Sequence, residues 1–381
     1  MEIGIVRQRY TPYGGAERFV ADALKALQHE GTALTLYTRA WPGGDGGFAP
    51  VVCNPFYLGS VWRDWGFARS VRAQWAQRRP DLIQSHERIA GCDVFRAGDG
   101  VHRVWLTERA RGMGPWARLG LALNPYHRYT LVAEARLFAD PALRAVICNS
   151  VLVRDQIRAL FGVAGSKLHV VRNAVDTARF SPTLRDRRDS VRAALGIPAA
   201  VTVFMLVGSG YYRKGVAQAI AALAALPGDA WLVVAGKEKN MARYQRLAQR
   251  AGLNGRVRLL GAQPDVGPLL GASDVFVLPT LYDPLPNACL EAMAAGLPVI
   301  TSTQCGAAEL LVGPPAGLVC AARDVAALSH AMMQLLDPAA RATMGARARA
   351  AVLPLSAEAM AAQLLALYHA LLGAGPQDAT L

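Results

Sequence analysis

Short apolar runs, each ending in a loop and followed by a helical stretch, recur along both halves of this chain. That rhythm narrows its fold more than any other feature. Residues 3–6 lead into a turn with Pro12, Gly14 and Gly15, then into a helical pattern over 16–30 with apolar Phe19, Val20, Ala23, Leu24 and Leu27. Further runs at 33–37, 82–84 and 145–148 alternate with helical stretches at 62–78 and 151–161. Continuous apolar runs of this length read as parallel strands buried on both faces. From about residue 172 to 198 the composition turns to Asn, Asp, Arg, Pro and Ser, and then the rhythm restarts. A run at 201–207 meets a glycine loop at 208–215 and a helix at 216–226, with further runs at 231–235, 257–259, 275–278 and 298–301. The expectation is an α/β protein of two Rossmann-like, doubly wound parallel-sheet domains facing across a cleft. Its parts would be a first domain over 1–172, a linker over 173–198, a second domain over 199–355, and a helix with a tail over 356–381 that crosses back toward the first domain.

At 381 residues, 52% hydrophobic and 18% charged, the chain is too long for one ordinary core and too apolar to be disordered. The six cysteines are scattered without a C-x-x-C pair or a histidine cluster, so neither a disulfide framework nor a metal site is expected. The opening Met-Glu-Ile-Gly-Ile-Val lacks the basic and apolar regions of a signal peptide. The most apolar window, 216–235, is broken by Gln218, Pro227, Gly228 and Asp229, short of the roughly 20 residues a spanning helix needs. A cytoplasmic protein, soluble or peripheral to a membrane, is expected. The net charge of +13 rests almost wholly on arginine, which suits bidentate recognition of an anionic partner. No recognition helix or binding module points to nucleic acid. The second glycine loop, Gly208-Ser209-Gly210-Tyr211-Tyr212-Arg213, is not G-x-G-x-x-G, and no Walker A sequence occurs. Both absences argue against the commonest nucleotide-fold enzymes.

Four stretches carry the chemistry. In the first, a strand ends at Leu278, Asp283 follows in a loop, and Glu291 lies eight positions later on a helix. Two such acids can grip hydroxyls of two different rings, which a sugar nucleotide offers. The plainer alternative has Asp283 capping the helix and Glu291 solvated. In the second, Arg213 and Lys214 leave a glycine turn containing Gly208 and Ser209 at the start of a helix, offering cations and backbone amides to a diphosphate. The alternative is a pair of solvated surface cations. The third is the loop with Gly14, Gly15, Glu17 and Arg18, where glycines permit close backbone approach to a ligand or simply make a tight turn. The fourth runs from Ser85 through His86 to Asp99 and Gly100, and leaves His86 open as either a structural or a catalytic residue. Beyond it, Trp105, Leu106, Trp116, Leu119 and Leu123 are mixed with Arg103, Arg109, Arg111, Arg118 and Arg128. That mixture fits an anionic membrane surface, or a packed core with solvated arginines.

The order Gly261, Asp274-Val-Phe-Val-Leu-Pro279, Asp283, Leu290-Glu291-Ala-Met-Ala-Ala-Gly296 and Pro298-Val-Ile resembles the acid-x7-acid signature of retaining glycosyltransferase family 4. The family usually reads Glu where Asp283 stands. The resemblance extends over essentially the full chain, and the passage from Gly91 to Asp99 is similar to that of lipopolysaccharide core glucosyltransferases. It implies a two-domain B-type fold with an acceptor-binding first domain and a second domain that binds a nucleotide sugar, usually linked to uridine diphosphate. It further implies that Arg213 and Lys214 hold the diphosphate, that Asp283 meets the hexose, that Glu291 meets the ribose, and that Gln263 borders the base. Gly14, Gly15, Gly208, Ser209, Asn287 and Ala288 complete the implied donor set. Asp99 is the implied handler of the acceptor proton, with Glu17, Arg18 and His86 as further acceptor or proton candidates. The implied acceptor is an anionic glycolipid or oligosaccharide at the inner membrane.

Retaining transfer through a covalent sugar intermediate would need a nucleophilic carboxylate, and none stands out. Same-face displacement, with the diphosphate leaving under Arg213 and Lys214, is the expectation. With no D-x-D sequence present, no metal and no separate cofactor are expected. A sugar-nucleotide epimerase or hydrolase on the same scaffold, and a binding protein without turnover, remain the competing readings.

Overall fold

The computed structural model describes residues 1–8, 33–40, 50–313 and 315–373. The helix expected at 16–30, with Gly14, Gly15, Glu17 and Arg18, lies outside the described residues.

The chain forms two compact units, one of residues up to Asn173 joined by the segment from Ala357, the other Ala174–Ser356. The first holds a seven-stranded sheet: β1 Glu2–Val6, β2 Ala33–Thr38, β3 Pro50–Val52, β4 Leu82–Ser85, β5 Val94–Arg96, β6 Ala145–Cys148 and β7 Leu168–Val170. Its strand order is β3-β2-β1-β4-β5-β6-β7, and every pairing is parallel. The second holds β8 Thr202–Val207, β9 Ala230–Ala235, β10 Val257–Gly261, β11 Val275–Leu278, β12 Val299–Ser302 and β13 Gly317–Cys320, in the order β10-β9-β8-β11-β12-β13, again all parallel. In each sheet the order reverses beside the first strand, at β1 and at β8. Loops at such a reversal line the crevice where ligands of α/β folds bind.

The strands form where side chains on both faces are apolar. Ile3, Ile5, Val6, Leu82 and Ile83 in one sheet, and Phe204, Met205, Val275 and Phe276 in the other, are almost wholly buried. Strands β3, β5, β7 and β13 were not expected. They are three or four residues long and carry groups such as Pro50, Arg96 and His169, so pairing with a neighbouring strand decides their conformation.

The segment read as a linker over 173–198 is folded into the second unit. It contains a 3-10 turn over Pro182–Arg187 and a helix over Arg188–Ala194. Its arginines converge on Asp274, just before β11. Arg192 donates to Asp274 Oδ2 at 2.7 Å, Arg188 to Oδ1 at 2.7 Å, and Arg185 approaches at 3.6 Å. Arg192 is only 1% exposed, and its other donors reach the carbonyls of Ala199, Val201 and Ala272. The polar composition that looked like a solvated connector is therefore a buried clamp. The boundary between the units falls at Asn173 and Ala174.

Residues 101–129, read as either a membrane-facing surface or a packed core with solvated arginines, form helices over His102–Ala110 and Pro115–Leu123 and the first part of a third over Pro125–Phe138. Asn124 caps the last of these by accepting from the amides of Tyr126 and His127. The helix Ala357–Gly373 clusters with the first unit, where Tyr368 donates to Gln84 Oε1 at 2.6 Å. Residues Pro338–Gly373 are apolar enough in sequence to cross a membrane, but they divide into two helices of 15 and 17 residues.

Candidate active site

The donor candidates gather at the end of β8. Gly208 follows the strand, and a Cβ there would lie 2.6 Å from Cε of Lys214, so glycine lets the lysine stem lie flat across the loop. Residues 208–215, expected as a loop, contain one helical turn, Tyr211–Lys214, bounded by Gly210 and Gly215, each at φ 75°. A Cβ on Gly215 would fall 2.1 Å from the carbonyl oxygen of Pro279, a clash with backbone that cannot move aside. That close approach pins the turn to the loop after β11.

This loop carries Asp283. Its amide donates to Gln304 O at 3.0 Å, and its carbonyl accepts from Gly306 N at 2.9 Å, which fixes the backbone. The side chain then meets both cations: Lys214 Nζ lies 2.5 Å and Arg213 Nη1 3.3 Å from Asp283 Oδ2. Arg213 also donates to Tyr282 O at 3.3 Å, and its own carbonyl accepts from Thr280 Oγ1 at 2.9 Å and Leu281 N at 2.8 Å. Lys214 and Asp283 are buried, whereas the Arg213 side chain is 38% exposed.

These contacts decide two alternatives left open by the sequence. The helix Asn287–Ala294 has Pro286 at its cap position, so Asp283 does not cap it. Glu291 is buried on that helix and is not a solvated residue, and Lys214 is not a surface cation. Asn287 and Ala288 open the same helix and are half-buried. The ends of β8, β9 and β10 meet at Gly208, Gly236 and Gly261, with Gly236 N donating to Gly261 O at 2.7 Å. Beside them, the exposed Ser209 accepts from Lys237 N at 3.1 Å, and Gln263 donates to Leu260 O at 3.0 Å.

The first unit has its own cavity, of about 150 Å³ and open to solvent, lined among others by Gln8 after β1, by Glu87 and Arg88 after β4, and by Asp99. Asp99 is exposed and has no hydrogen-bond or ion-pair partner among the described residues. His86 does not line this cavity. It is buried, and Gln84 Nε2 lies 3.1 Å from its Nε2. Burial first, then Arg96 and Arg7, hold its pKa well below the usual histidine value. A neutral, enclosed imidazole supports the loop after β4 and is poorly placed to take a proton from a ligand. Arg63 and Asp64, which also line the cavity, were not singled out in the sequence, and Glu87, Tyr126 and Tyr129 lie within stretches read there without a role at this cavity. Each belongs to an ordinary local pattern, and only the fold brings them together.

Two doubly wound parallel sheets, with a lysine, an arginine and a carboxylate joined at the first strand of the second, define the two-domain B-type glycosyltransferase architecture. The family model described as Glycosyltransferase Family 4 matches residues 13–179, and that described as Glycosyl transferases group 1 matches residues 187–351. The chain belongs to glycosyltransferase family 4. It is 31% identical over 281 residues to a glycogen synthase of Mycobacterium tuberculosis, covering 71% of this chain but only 63% of that relative's length. It is 24% identical over 328 residues to the lipopolysaccharide glucosyltransferase WaaG of Escherichia coli, covering 84% of this chain and 85% of that one. A crystal structure of WaaG, described as a glycosyltransferase involved in lipopolysaccharide biosynthesis, superposes with a TM-score of 0.81 at 21% identity, over 96% of this chain and 99% of the other.

Proposed function

We propose that the protein is a retaining hexosyltransferase that moves a hexose or N-acetylhexosamine from a nucleotide diphosphate sugar, the uridine form, to a lipopolysaccharide core or related glycolipid. The observation that carries this reading is the meeting of Lys214, Arg213 and Asp283 at the end of β8 in a family 4 chain. The cations are of the kind that stabilise a departing diphosphate, and the carboxylate keeps them aimed until a donor arrives. Asp283 then meets the hexose, Glu291 the ribose, and Gln263 the edge of the base. Gly14, Gly15, Gly208, Ser209, Asn287 and Ala288 complete the donor set. Asp99 handles the proton of the incoming hydroxyl, and Glu17 and Arg18 are further acceptor contacts. The hydroxyl attacks from the face the diphosphate leaves, so the bond to the leaving oxygen breaks as the new glycosidic bond forms on the same side.

The charge that a metal often supplies comes here from Arg213 and Lys214, and neither a metal nor a separate cofactor takes part. A panel of nucleotide sugars, assayed for binding and for transfer with and without acceptor, tests the reading. Transfer is expected to require acceptor and to persist in millimolar chelator. Donor isomerisation or hydrolysis alone would favour an epimerase or hydrolase, and activity restored only by a divalent ion would refute the metal-free mechanism.

The enzyme works at the cytoplasmic face of the inner membrane, docking through the helix Pro115–Leu123. This helix has no buried residue, and it exposes Trp116 (85%), Leu119 and Leu123 beside Arg118. Apolar side chains flanked by cations suit an anionic bilayer. Trp116→Ser combined with Leu123→Ser should cut sedimentation with phosphatidylglycerol vesicles severalfold while leaving transfer to a soluble acceptor intact. Unchanged vesicle binding would remove this surface from the account.

A further inference from the structure

We infer that a stripe of exposed cations leading away from the end of β9, formed by Lys237, Lys239, Arg243, Arg246 and Arg250, steers the anionic donor toward the cluster after β8 and sets how fast it arrives. This role rests on the nucleotide-sugar reading of that cluster, and it belongs to surface residues outside the reacting centre.

The local sequence makes the stripe. Lys237 and Lys239 lie in the loop after β9, and the helix Met241–Arg250 carries Arg243, Arg246 and Arg250 at spacings of three and four, which share one face. Tyr244 and Ala248 of the same helix are buried. None of the five cationic side chains meets a carboxylate among the described residues. Glu238 is the one acid between positions 230 and 264, and backbone amides occupy it: Oε2 accepts from Tyr211 N at 2.9 Å and Oε1 from Asn240 N at 2.9 Å. The loop is also fastened to the donor turn. Gly210 N donates to Lys237 O at 3.0 Å, Lys237 N donates to Ser209 Oγ at 3.1 Å, and the Tyr244 ring packs edge-on against Tyr211 with centroids 5.1 Å apart. The stripe therefore begins beside the turn that bears Arg213 and Lys214.

The charges of the cluster itself cannot act at a distance. In the proposed donor set, Arg213 and Lys214 are formally offset by Asp283 and Glu291, and both cations already touch Asp283. Opposite charges this close nearly cancel a few diameters away, so the cluster grips a diphosphate on contact but pulls weakly from solution. Exposed cations without acidic partners supply the long-range attraction. Their reach is limited. The helix is about 15 Å long, against a screening length of about 8 Å at physiological ionic strength. Lys237 and Lys239 should dominate, and Arg250 should contribute least. Over 237–250 no large apolar side chain is exposed, unlike Pro115–Leu123, so this face is not built for insertion into lipid.

Stopped-flow association of a base-labelled fluorescent uridine diphosphate with the full chain separates arrival from dissociation. At about 0.1 M salt, Lys237→Glu combined with Lys239→Glu should slow association about fivefold to tenfold, and Arg250→Glu less than about twofold; at about 1 M salt the rates should converge. Dissociation should stay near wild type throughout, and Lys237→Arg combined with Lys239→Arg should keep the wild-type association rate. Unchanged association in the double glutamate variant would overturn the steering role. So would a loss carried by faster dissociation, which marks direct contact, or an equal effect of Arg250→Glu, which marks net charge alone. Wild-type protein that binds uridine diphosphate at neither salt concentration would sink the donor reading itself, whereas binding with salt-independent arrival sinks only the steering.

Discussion

Lys214→Ala is expected to lower sugar transfer by roughly a hundredfold or more, the scale seen when a preorganised charge-stabilising donor is removed from a reaction centre. Lys214 is buried, its stem lies against Gly208, and its ammonium is 2.5 Å from Asp283, so its position is set before any donor binds. A cation held this way needs little reorganisation as charge develops on the leaving diphosphate. Arg213→Ala should fall in the same range, although its partial exposure leaves more screening by water. Because both cations share Asp283 Oδ2, effects of substitutions at the three positions should not add. Asp283→Asn should therefore disturb binding of the nucleoside diphosphate as well as of the hexose. Steady-state rates of the folded variants check this, and wild-type turnover from Lys214→Ala would remove the lysine from the reaction.

Asp274→Ala should destabilise the second unit by about 3–5 kcal/mol, the cost of stripping one partner from a buried ion pair. Arg192 would keep its charge in a site only 1% exposed, and the Val203 amide would lose its 2.8 Å acceptor. Burial alone would raise the Asp274 carboxyl, but the Val203 amide, Arg188 and Arg192 outweigh it and hold the pKa below the ordinary value. A depressed carboxyl pKa stabilises the fold above the unfolded value, near 3.9, and that contribution fades as pH falls through the folded value. Acid unfolding of the wild type should therefore gain part of its steepness below about pH 4 from this residue. Adding Arg192→Met to Asp274→Ala should restore part of the loss, since no charge is then stranded. Denaturant unfolding measures all three proteins, and a loss below about 1 kcal/mol for Asp274→Ala would show that the clamp is not structural.

The sequence made the central strands legible because nothing but a doubly covered sheet suits runs such as those at 145–148 and 275–278. It made Asp283, Glu291, Arg213 and Lys214 legible through spacing and family resemblance. What it hid were pairings between distant positions. Lys214 and Asp283 are 69 residues apart, and their contact turned two separately imagined roles into one cluster. Arg192 sits among Arg187, Arg188 and Asp189, a stretch that looks solvated until Asp274, 82 residues away, arrives to neutralise it. His86 was ambiguous because a histidine's chemistry follows its surroundings, and burial beside Gln84 and Arg96 made it a supporting residue.

The central claim, transfer with retention at this site, is tested most directly by following the anomeric proton of the product by NMR during transfer from an α-linked uridine diphosphate hexose to a lipopolysaccharide core acceptor. The account predicts an α-linked product as the first species to appear, with the signal lost in Lys214→Ala. A β-linked first product would contradict same-face displacement, and nucleotide release without any new glycosidic bond would contradict the transferase itself.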